Sequence, residues 1–133
     1  MVGDAQSKGG LVLGLKSYYK RLRDRYVINQ VKRIKLPASK ASPVVRISVI
    51  FSGRVQKVGF RLEVYELAKR LNLTGWIKNR QNKTVEAEIQ GEREKITFLI
   101  NHMKSLKRAS VKDVAIETMP TVDNESDFTL IRE

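Results

Sequence analysis

SGRVQKVGFR, Ser52 to Arg61, carries two glycines, no acidic side chain and three basic ones, Arg54, Lys57 and Arg61. Ahead of it, VVRISVIF (Val44 to Phe51) is rich in β-branched residues and reads as a buried strand ending at Ser52-Gly53. Behind it, from Arg61 to about Asn72, Leu62, Tyr65, Leu67, Ala68 and Leu71 recur at helical spacing, with Glu63, Glu66, Lys69 and Arg70 between them. A strand that hands over to a helix through a basic, Gly-bracketed loop is the outline of a phosphate cradle. Successive backbone N–H groups turn inward around an anion, and Arg61 sets a planar, permanently charged fork beside the helix N-terminus. An ordinary strand-to-helix turn is the alternative reading of this segment alone.

Downstream, Leu73 to Asn79 and Thr84 to Ile89 are strand-like runs joined by a short turn with Gln81, Asn82 and Lys83. Val85, Ala87 and Ile89 alternate with Glu86, Glu88 and Gln90, so one face is buried and one is wet. From Glu92 to about Lys107, the residues Ile96, Leu99, Ile100, Met103 and Leu106 form one helical stripe. Acids stand at its start and bases at its end, as the dipole prefers. Val111 to Met119 alternates as a strand that Pro120 stops, and Asp127 to Ile131 supplies a short last one. The order βαββαβ, with a short fifth strand, predicts an α+β class. The expected architecture is a ferredoxin-like split βαβ sandwich, an antiparallel sheet of four to five strands with two helices on one face.

Upstream lies a basic N-terminal extension, residues 1–44, with a net charge of +8 against +4 for residues 45–133. Met1 to Gly10 is small and polar and reads as a disordered lead-in. From Leu11 to about Leu36, Leu11, Leu15, Tyr18, Leu22 and Tyr26 recur at steps of three or four among Lys16, Lys20, Arg21 and Arg23. This predicts an amphipathic basic helix, either solvated, docked on the domain or only partly formed, or lying on an anionic membrane surface or nucleic acid. A mitochondrial-type presequence is a further reading. Pro37 to Pro43 reads as a linker.

The order G-R-V-Q-x-V-x-F-R, followed some fifteen residues later by G-W-I-K-N and then N-x-T-V-E-A-E-I-Q-G, resembles the two signatures of the acylphosphatase family. The resemblance covers about residues 45–133, the expected domain. It implies hydrolysis of the carboxyl-phosphate anhydride of acyl phosphates to carboxylate and inorganic phosphate. It implies that Arg61 and Asn79 are catalytic, with Asn79 orienting the attacking water. The phosphate would be held by Arg54, Val55, Gln56, Lys57, Val58, Gly59, Phe60 and Arg61, with no metal and no cofactor. Where the family commonly has Gly, this chain has Lys57 in the cradle and Lys83 in the hairpin turn. If those positions need positive φ, each costs on the order of 1–3 kcal/mol.

The residue chemistry agrees with that reaction. A carboxylate leaving group has a conjugate acid of pKa about 4, so its departure at neutral pH needs no general acid. Phosphoryl transfer asks mainly for positioning and charge stabilisation. No role is assigned to His102, read as a surface or boundary residue. Trp76 is expected in the core, and Glu86 and Glu88 to pair with neighbouring bases.

The alternative function is a catalytically weakened domain acting as a binding or nucleic-acid-interaction module. Against it, the strands lack the aromatic-rich pattern of an RNA-stacking sheet. With no cysteine, disulfides and thiolate catalysis are excluded. No run approaches a membrane span or a secretory signal, so the expected protein is a cytoplasmic monomer acting on a small acyl phosphate.

Overall fold

The computed structural model describes residues 2–38 and 40–132, with side chains from residue 14 onward. Helix α1 (Val2–Arg33) precedes strand β1 (Val44–Arg54), helix α2 (Phe60–Arg70), strands β2 (Thr74–Asn79) and β3 (Val85–Glu92), helix α3 (Arg93–Lys104), and strands β4 (Ser110–Met119) and β5 (Phe128–Leu130). The strands form one sheet in the order β4-β1-β3-β2-β5. The first four pair antiparallel, as expected. The fifth departs from that expectation, because it runs parallel to β2 with Phe128 opposite Gly75.

Alternation decides which side of each strand is covered. Val49 and Phe51 on β1, Ile77 on β2, and Val85, Ala87 and Ile89 on β3 face the helices and join one core with Val64, Leu67, Ile96, Leu99 and Met103. The opposite face holds polar pairs: Arg46 donates to Glu88 and Glu125, each at 2.9 Å, and Lys78 reaches Glu86 at 3.8 Å. Trp76 belongs to this open face and not to the core, since Gly75 and Ile77 on either side of it point inward. Its ring carries the Lys78 ammonium, 5.3 Å from the ring centre.

Helix α1 differs most from expectation. It begins at Val2, ahead of the expected Leu11, and ends at Arg33; Met1 and Ser39 lie outside the described residues. The row Leu15, Tyr18, Leu22 and Tyr26 is exposed. At 3.6 residues per turn a nearly opposite row, Arg23, Val27 and Val31, faces the domain, and both valines are fully buried in the core. The C-terminal end of α1 is fastened by Arg70 of α2, whose Nη1 donates to the carbonyls of Val31 (2.6 Å) and Ile34 (2.7 Å). A guanidinium there satisfies orphan carbonyls and complements the helix dipole. No helix among the described residues is long and apolar enough to cross a membrane.

Candidate functional site

β1 ends in a bulge, where its register against β4 shifts between Ser52 and Gly53. Gly53 has φ 114°, and a Cβ there would run into the Ser110 carbonyl, so glycine is required for the chain to leave the sheet at that angle. The loop then turns through residues 55–59 and enters α2 with Gly59 as N-cap at φ 77°. A Cβ on Gly59 would stand 2.9 Å from Cγ2 of Val27, so α1 rests directly on the last turn of the loop. Lys57 and Lys83, the two residues standing where the family pattern has glycine, do adopt positive φ, 63° and 69°.

The backbone N–H groups of Gln56 to Phe60 form no hydrogen bond to any acceptor among the described residues, although Gly59 and Phe60 are buried. Lys57, Gly59, Phe60 and Arg61 line a cavity of about 220 Å³, and Asn79, at the end of β2, lines it too. That volume lies below the roughly 300–1,000 Å³ of pockets that take drug-sized ligands, so a small anion or a small ester suits it. Nη1 of Arg61 donates to the Ile131 carbonyl at 2.8 Å, which ties the guanidinium to the segment after β5. The Asn79 Oδ1 atom is buried and has no hydrogen-bond donor near it. A buried acceptor without a partner is costly unless a water or ligand supplies a proton to it.

Not all of the expected cradle lines this cavity. Arg54, Val55 and Gln56 lie around a separate hollow with Gly53, Lys57 and Lys83. The Val55 N–H is already used, donating to the Gly53 carbonyl at 3.1 Å. Gln56 is a brace: its Nε2 donates to the carbonyls of Arg80 and Thr84, both at 2.9 Å, and so fixes the β2–β3 hairpin, with Asn79 at its root, against the loop. Val58 turns its carbonyl to Nε of Arg108 at 2.5 Å.

Arg108 is one of three supporting residues that periodicity does not reveal. Its Nη2 pairs with Glu63, which also receives His102 at 2.5 Å. Glu63 is only 2% exposed, one turn into α2, although it is one of the polar residues set between the apolar positions of that helix. Burial alone would raise its pKa, but hydrogen bonds from His102 and Arg108, with their charges, outweigh burial and hold the carboxyl below its ordinary value. His102 therefore has a structural partner, and the trio ties α2, α3 and the α3–β4 connection to the loop carbonyl at Val58.

The family model described as Acylphosphatase matches residues 47–130. An acylphosphatase of Clostridium beijerinckii is 40% identical over 88 residues, 65% of this chain and 98% of that protein. One from Picrophilus torridus is 51% identical over 57 residues, 43% of this chain and 70% of the other. The solved structure of an acylphosphatase from Coxiella burnetii superposes with a TM-score of 0.61 at 37% identity, covering 66% of this chain and 93% of that one.

Proposed function

The chain belongs to the acylphosphatase family and has its hydrolase function, and from that premise we propose that Arg61 and Asn79 carry out hydrolysis of a small acyl phosphate in the cavity beneath α1. The proposal takes residues 45–133 as the catalytic unit and residues 1–44 as an extension fastened to it. In it, the phosphoryl oxygens accept from the free N–H groups of the loop and from Arg61. A water donates one hydrogen bond to Oδ1 of Asn79, which orients its lone pair at phosphorus.

As the water oxygen bonds to phosphorus, the phosphorus–oxygen bond to the acyl group breaks and the carboxylate leaves with the electron pair. The water proton passes to a phosphoryl oxygen, giving inorganic phosphate. Asn79 positions the water but takes no proton, because an amide is too weak a base. The observation that carries this reading is that residues with unpartnered backbone N–H groups, Lys57, Gly59 and Phe60, and one with an unpartnered acceptor, Asn79 Oδ1, line the same small cavity. Such complementarity suits an anion and a water together.

Release of phosphate from benzoyl phosphate tests it. Arg61→Ala is expected to lower kcat/KM by a factor of about 100 or more, the usual cost of removing one transition-state donor. Arg61→Lys, which keeps the charge and loses the fork, should fall between it and the wild type. Asn79→Ala should lower kcat while leaving competitive inhibition by inorganic phosphate nearly unaltered. An undiminished rate in Arg61→Ala refutes the assignment.

A further inference from the structure

The cavity holds more positive charge than a phosphoryl group needs. Its lining also takes in Lys20, Arg23 and Asp24 of α1, Arg132 after β5, and the apolar Leu62 and Leu130. Among the described residues that line it, Lys57 and Arg61 bring the cations to five beside one carboxylate. That carboxylate, Asp24, is engaged by Nη2 of Arg23 at 3.2 Å. Lys20 and Arg132 make no ion pair among the described residues.

Arg23 is the informative member. Its Nη1 donates to the Lys57 carbonyl at 3.1 Å, so the side chain is anchored to the catalytic loop. Its Nε is buried and has no acceptor. A buried N–H without an acceptor is costly, and a ligand oxygen that reached it from the cavity would satisfy it. The position is fixed, because Val27 and Val31 on the same face of α1 are fully buried and Arg70 holds the helix end. Lys20 and Arg23 both lie outside residues 47–130, the part that matches the family. What they add is therefore particular to the extension.

We propose that α1 completes a second anion subsite at this cavity, formed by Lys20 and Arg23 together with Arg132, which selects acyl phosphates whose acyl portion bears an anionic group of its own. The inference rests on the reading that the phosphoryl group occupies the loop side. With that end filled, the acyl portion extends past Leu62 and Leu130, which suit a short hydrocarbon or aryl spacer. A terminal anionic oxygen then meets the three cations.

The test uses the full chain and two stable analogues that differ by one charged group, benzoylphosphonate and 4-carboxybenzoylphosphonate, with affinities read by calorimetry. The carboxylated analogue is expected to bind about tenfold tighter to the wild type, a modest gain for close charge pairs. In Lys20→Gln and in Arg23→Gln that ratio should fall toward one. Lys20 is exposed, so its variant keeps the fold even if Arg23→Gln loosens the loop. Equal affinities in the wild type, a preference kept in both variants, or no binding of either analogue overturns the subsite. Turnover of benzoyl phosphate reports separately on the catalytic reading, because the phosphonate ratio is measured whether or not the chain hydrolyses anything.

Discussion

Lys57 and Lys83 hold left-handed backbone conformations that favour glycine, and the surroundings explain why the strain persists. Gln56 clamps the carbonyls of Arg80 and Thr84 on either side of the hairpin turn, and Arg23 holds the Lys57 carbonyl, so neither backbone can relax. Lys83→Gly should stabilise the chain by about 0.5–1 kcal/mol, the left-handed penalty relieved less the extra freedom that glycine gives the unfolded chain. Thermal unfolding measures it, and an unchanged or lower Tm would mean that the Lys83 side chain contributes as much as its backbone costs. Lys57→Gly should show the same gain in Tm but also remove a cation from the cavity, so its phosphate inhibition constant should weaken while that of Lys83→Gly does not. Both strained positions were legible as glycine sites against the family pattern. Their neighbours' bracing was not, because it depends on contacts 24 to 34 residues distant in the chain.

At the level of elements, what repeats was legible and what docks was not. The period-2 alternation of Val85, Ala87 and Ile89 and the helical stripe of Ile96, Leu99, Ile100 and Met103 each faced the core as their spacing predicts. Helix α1 carries two apolar rows, and periodicity favoured the longer one, Leu15 to Tyr26, which stays exposed. The shorter row is chosen by partners elsewhere in the chain: Gly59, whose missing side chain admits Val27, and Arg70, which caps the helix. The same limit hid Glu63, whose partners come from α3 and the connection behind it. Val27→Ala should therefore destabilise by about 1–3 kcal/mol, the cost of a small cavity in a packed core. Arg70→Ala should instead lower hydrogen-exchange protection in residues 22–33 with a smaller change in Tm, since it loosens the fastening of the helix and leaves the sheet intact. Protection in that segment equal to wild type would show that the valines alone hold α1.

For the molecule as a whole, acid should be the destabilising direction, and two causes can be separated. Glu63, Glu92 and Glu125 are each held below the ordinary carboxylate value. For Glu125, as for Glu63, burial pushes upward and is outweighed, here by hydrogen bonds from Arg46 and Thr74; for half-buried Glu92 the Ser42 backbone N–H leads. A depressed value in the folded state means that the unfolded chain takes up protons first as pH falls. The stabilisation is thus complete above the ordinary carboxylate range, near pH 4.5, and is lost as pH drops through the folded values. Over the same interval the net charge climbs from +12 toward the +26 of Lys and Arg alone, and self-repulsion acts in the same direction. Salt distinguishes them, because repulsion between exposed charges is screened and a buried carboxylate's contacts are screened much less. Between pH 6 and pH 3, Tm should fall, and 0.5 M salt should recover only part of the fall. Glu63→Gln should begin with a lower Tm at neutral pH and lose less on acidification, since glutamine has no proton to take up. Full recovery by salt, or an acid loss in Glu63→Gln equal to that of the wild type, would leave repulsion as the cause and remove the buried carboxylate from it.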